Sequence, residues 1–127
     1  MSDGIYQAAR TFFVQPEPDS ELLYFLARLA KENGITTGSF TAIGALKSAK
    51  LAFYDQNTGQ YVDLADLHSP QELISCMGSI ATNGSGPHVH AHVVLVDAKG
   101  ATRSGHLVEG KGFFSQVALV QLTPEPC

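Results

Sequence analysis

The chain has no tryptophan, two cysteines and no apolar stretch of bilayer length, and each shortage excludes a class of protein. Cysteines only at Cys76, inside a predicted strand, and at Cys127 make no disulfide framework, so a reducing compartment, the cytoplasm, is the expected location. The residues from Met1 to Gln7 have neither a basic start nor an apolar core, so neither a secretory leader nor a membrane span is expected. Positive charge is also scarce. Eight Lys and Arg against twelve Asp and Glu leave a formal charge of -4. The basic residues are scattered singly from Arg10 to Lys111, so the chain has no run that would grip a phosphate backbone, and no Arg-Gly-Arg-Pro-like minor-groove hook. Gly34, Gly38, Gly44, Gly78 and Gly84 form no phosphate-binding fingerprint, and no Gly-Lys-Ser/Thr follows them. No Ser-His-Asp or Cys-His arrangement is legible, and Cys76, in an apolar stretch, is expected to be a buried, inert thiol.

What is present is an ordinary globular composition, 44% hydrophobic and 16% charged over 127 residues, which suits one domain spanning 1–127. A helix is predicted from about Ser20 to Asn33. Asp19 or Ser20 would cap it, Leu22, Phe25, Leu26 and Leu29 recur at helical spacing, and Asn33-Gly34 would end it. The remainder reads as strands: 5–14 with Phe12 and Val14 on one face, 48–55 with Ala49, Leu51 and Phe53 on one face, then 61–67, 71–81, 88–97, 101–109 and 113–122. The segment Asp55 to Gln60 has turn chemistry and would join two of them as a hairpin. One helix over strands joined by short turns implies an α+β fold, a mostly antiparallel β-sheet with one main helix packed on it.

Four of the five histidines fall between His88 and His106. Side chains on a strand repeat with period two, so His88, His90 and His92 share one face. The segment Asp97-Ala-Lys-Gly100 reads as a type I turn with Gly100 in the left-handed position, which pairs Asp97 with Ala101. That register sets His106 opposite His92 and diagonal to His90, on the same face. A two-residue loop would turn His106 to the other side. Three neutral imidazoles without cysteine suit zinc, with nickel, iron or copper as other candidates, and leave a fourth coordination position open. The competing reading makes these histidines solvated strand residues or hydrogen-bonded core groups. His88, one pair farther from His106, and His68, in a Ser-Pro loop, are not assigned to the site. Glu72, in the strand before the cluster, and Glu109, three residues past His106, are the carboxylates expected to sit near the histidines, as candidates to orient an imidazole or activate a bound water, though the solvated role suits both better.

Ser39-Phe-Thr-Ala-Ile-Gly-Ala-Leu46, Tyr54-Asp55, Gln71-Glu-Leu-Ile-Ser-Cys-Met-Gly78, the stretch from Pro87 to Asp97, and Gly105-His106-Leu107 together resemble the plant-and-prokaryote conserved (PPC) domain, in the same order and over nearly the whole chain. The resemblance is to the stand-alone prokaryotic type without an AT-hook. It implies an α+β fold, a homotrimer, and a zinc site from a His-x-His pair plus the histidine of a Gly-Gly-His-Leu segment, which map onto His90, His92 and His106. Plant members carry AT-hooks and bind DNA, and the DNA-binding designation of bacterial copies is inherited from them; the charge of this chain does not support it. Two positions depart from the pattern: Ser104 replaces the first glycine of Gly-Gly-His-Leu, and Gln116 stands where an acidic residue is common. Three functions follow as expectations: a trimeric metal-binding module with a regulatory or DNA-associated role, a zinc-dependent enzyme using the open position, or a scaffold whose metal ties down the sheet.

Overall fold

The computed structural model describes residues 3–126, and Cys127 lies outside them. Six strands and one helix run in the order β1 (Tyr6–Val14), α1 (Leu22–Glu32), β2 (Thr37–Asp55), β3 (Gln60–Leu67), β4 (Gln71–Asn83), β5 (Gly86–Val96) and β6 (Thr102–Pro124). Every pairing is antiparallel, in the order β1-β6-β5-β4-β2-β3, and a further β6–β2 pairing closes the sheet on itself. The expected α+β architecture is therefore present, with the sheet curled into a ring through β2, β4, β5 and β6.

Two strands are longer than their hydrophobic alternation suggests. β2 continues through Ser39–Leu46 into the predicted strand 48–55, because its first half is held between β4 and β6 and its second between β3 and β6. β6 likewise merges the predicted strands 101–109 and 113–122. Its pairing with β2 shifts register between Ala45 and Leu46, Leu46 and Ser48, and Lys50 and Leu51, which bends the strands without breaking the ladder. These irregularities also displace a predicted face. Ala49 and Leu51 are buried as expected, but the register shifts again opposite Leu51 and Ala52, so Ala52 is buried and Phe53 is 60% exposed.

The helix seals the ring. Leu22, Leu26 and Ala30 are fully buried against β5 and β6, with Phe25 and Leu29 packed at the margin. Its cap is Glu21, neither Asp19 nor Ser20: the Glu21 carboxylate accepts from the Leu23 and Tyr24 amides at 3.0 and 2.9 Å. Ser20 turns its hydroxyl to the Glu17 carbonyl, and Asp19 takes a left-handed φ of 72° and pairs with Lys47 at 2.6 Å. At the far end the Asn33 amide bonds the Leu29 carbonyl, Gly34 adopts φ 66°, and Arg10 donates to the Asn33 carbonyl. Phe12 and Val14 of β1 lean on the core from outside. Cys76 sits inside it, 1% exposed, and burial pushes its thiol up to about 11. Among the described residues no helix is long and apolar enough to cross a membrane.

Candidate metal centre

The histidines are delivered by the β5–β6 hairpin. Its turn has the anticipated form: the Gly100 amide donates to the Asp97 carbonyl and the Asp97 amide to the Ala101 carbonyl, both at 3.0 Å, with Gly100 at φ 83°. The Asp97 carboxylate stiffens the loop by accepting from the Lys99 and Ala101 amides at 2.9 Å, and those backbone bonds, with Arg103, hold it below the usual carboxylate range against the opposing effect of partial burial. Counted from that turn, the ladder pairs His92 with His106. His106 also pairs with Ala52 of β2, so it stands at the seam where two strands meet β6.

On the shared face, His90 Nε2 and His92 Nε2 lie 3.2 Å apart. The ring of His106 is 5.3 Å from that of His90 and 6.0 Å from that of His92, and one nitrogen from each of the three lies within 4.8 Å of the others. Burial holds His90 and His106 below the ordinary imidazole value, and the neighbouring histidines reinforce the effect, so both stay neutral with lone pairs available. His106 Nδ1 is buried and has no hydrogen-bond partner. The Tyr61 ring of β3 lies over His106 at 4.3 Å and tilted by 31°, and Tyr54 meets Tyr61 edge-on at 5.1 Å. This aromatic wall escaped the sequence analysis. The turn at Asp55 to Gln60 could have signalled it, since it predicts a hairpin and pairs Tyr54 with Tyr61.

The cluster opens into a cavity of about 690 Å³ lined by Phe53, Tyr54, Tyr61, Met77 and Val94 as well as the imidazoles. Ser104 lines it too, and it pairs with Val94 without a left-handed φ, so the serine at the first glycine position costs no backbone conformation here. Neither Glu72 nor Glu109 reaches it. Glu72 pairs with Val96 and Ala45 at the other end of β4, and Glu109 pairs with Lys50. Gln116, opposite Ile43, is outside the cavity as well. His68 is 80% exposed beside Asp66, and His88 pairs with Ala81 beyond the cluster.

The model of the Plants and Prokaryotes Conserved (PCC) domain matches residues 4–123. A plant- and prokaryote-conserved protein from Pyrococcus horikoshii superposes with a TM-score of 0.92 at 33% identity, over 98% of this chain and 87% of that one. A metal-containing protein from Archaeoglobus fulgidus gives 0.90 at 29% identity, over 98% and 88%. A candidate DNA-binding protein from Ralstonia eutropha JMP134 gives 0.79 at 25%, over 94% and 83%. Among curated proteins, the bifunctional protein GlmU of a Synechococcus strain is 32% identical over 104 residues; these are 81% of this chain, which spans only 15% of that relative's length.

Proposed function

The chain belongs to the Plants and Prokaryotes Conserved domain family, and from that premise we propose that it is a trimeric, zinc-binding regulatory module whose ion is held by His90, His92 and His106. The observation that carries this reading is the convergence of three imidazoles, without thiolate or carboxylate, from a hairpin of fixed register. A tetrahedral ion with Zn–N bonds of roughly 2.0–2.1 Å sets its ligand nitrogens about 3.3–3.4 Å apart. The 3.2 Å between His90 Nε2 and His92 Nε2 is close to that, and the third ring offers a nitrogen within 4.8 Å of theirs. His106 Nδ1, buried without a partner, costs the bare protein about 1–3 kcal/mol, a cost that an ion would offset if this is the nitrogen that holds it. The likeness to a metal-containing archaeal protein supports the same reading.

When bound, the ion supplies a Lewis-acidic position for one donor atom. The protein's own part is to orient that position: the hairpin fixes the three rings, and Tyr61 limits the tilt of His106 from above. A zinc-dependent enzyme is the second reading, favoured by the open position facing the cavity. Against it, no Asp or Glu among the described residues lines that cavity to serve as general base. The DNA-binding role named for the Ralstonia relative finds no support in the net charge of -4 and the dispersed basic residues of this chain.

Elemental analysis of dialysed protein tests the proposal. One zinc per chain is expected, and His106→Ala lowers zinc affinity by at least about 100-fold, since loss of an outer-shell partner alone costs 10–100-fold. Substoichiometric zinc in metal-supplemented protein, or full affinity in the variant, defeats it.

A further inference from the structure

We propose that the cavity above the three histidines receives a small flat molecule, an aromatic or similarly planar apolar body carrying one anionic oxygen donor that completes the coordination of the ion. The proposal rests on the metal reading and adds the chemistry of what the site takes.

Three features of the cavity select this class. Its volume of about 690 Å³ falls within the usual range for small-molecule sites, roughly 300–1,000 Å³. Beyond the imidazoles its walls are mostly apolar, with Gln56, Ser75 and Ser104 as the polar members, and the large side chains stand open: Phe53 is 60% exposed, Tyr61 52%, Tyr54 47% and Met77 64%. Such side chains face water at a cost unless something flat covers them, and Tyr61, although it rests on His106 and meets Tyr54 edge-on, stays 52% exposed and so keeps part of its ring available for stacking. Finally, no Lys or Arg among the described residues lines the cavity. Three neutral imidazoles leave a divalent ion with its full charge, so one anionic donor is attracted. Several negative charges, as on a nucleotide or a nucleic-acid backbone, would find no further cation. Charge complementarity thus favours a monoanion, and the wall favours a planar body over a sugar or an extended peptide.

The full chain with cobalt(II) in place of zinc reports on the open position through its visible absorption bands. Titration with benzohydroxamate and with acetohydroxamate presents the same donor head on a flat or a minimal body. Benzohydroxamate is expected to shift the bands with a dissociation constant roughly 3–10-fold lower, the worth of one aromatic stacking contact. In Tyr61→Ala the two constants become equal, while Tyr61→Phe keeps the preference. Because the readout is a ratio on one ion, any effect of the substitution on the ion itself cancels. AMP is expected to bind no better than acetohydroxamate. Equal constants in the unmodified protein, a preference that survives Tyr61→Ala, or tighter binding of AMP would overturn the proposal. So would cobalt bands that respond to neither hydroxamate, the result expected if a second copy of the chain closes the cavity. Failure of the metal reading shows separately, as cobalt bands unchanged by His106→Ala.

Discussion

His90 and His106 pay for their convergence in proton affinity. Both titrate below the ordinary value of 6.5, from burial first and then from the imidazoles around them. An unfolded chain therefore takes up protons at these positions before the folded one does. The stability they allow is complete above 6.5 and declines as the pH falls through that value toward the lower folded values. The metal-free protein is expected to show a falling urea midpoint between about pH 7 and 5, with a flatter profile when both are replaced by alanine. An unchanged slope in that double variant would remove these two histidines from the account. Period two along Pro87 to Asp97 puts His90 and His92 on one face and the turn at Asp97 to Gly100 adds His106 to it, so this part of the site was legible in the chain. Tyr61 was not: its place over His106 depends on β3 lying beside β2 at the seam where β2 meets β6.

At the level of elements, α1 and the β6 bend share one carboxylate. Glu21 caps the helix and also accepts the Gly110 amide at 2.9 Å, while its backbone bridges to Lys111. The helix is thereby tied to the point where β6 shifts register against β2. Glu21→Ala is expected to cost about 1–3 kcal/mol in denaturant unfolding, since it removes a cap and strands a strand amide; a loss below about 0.5 kcal/mol would mean that water replaces it fully. The presence of α1 was readable from Leu22, Phe25, Leu26 and Leu29, but its cap was not. Asp and Ser are the stronger local capping signals, and only the approach of Gly110 selects the residue that follows them. In the same way, β2 and β6 each read as two shorter segments, because alternation is lost at the bulges even though pairing continues.

For the whole molecule, charge and exposed apolar surface point in different directions. Ile43, Phe113 and Phe114 lie 56%, 59% and 46% exposed on neighbouring stretches of β2 and β6, apolar side chains that a partner subunit would cover. Light scattering at micromolar concentration is expected to give about three times the chain mass of 13.5 kDa, and a monomer would refute the proposed trimer. Of the basic residues, Arg28, Lys47, Arg103 and Lys111 each lie beside a carboxylate of the chain itself, and Arg10 is engaged with Gln121 and Asn33. Little free positive charge is left for phosphates, and the net charge is -4. Weak or no binding to generic duplex DNA is expected in an anisotropy titration at about 150 mM salt. Submicromolar affinity with a steep salt dependence would show instead that several subunits assemble a patch from residues such as Lys50.

The local pattern of the chain was enough to determine an antiparallel sheet under one amphipathic helix, and a three-residue turn that sets His106 across from His92. These are matters of periodicity and turn chemistry, which act over a few residues. Tertiary structure decided that the sheet closes through β2 and β6, that Phe53 turns outward, that Glu21 is the cap, and that Tyr54 and Tyr61 wall the histidine cavity. Each of these depends on which distant segments share a ladder and where its register slips, and such pairings are selected by the packing of the whole core.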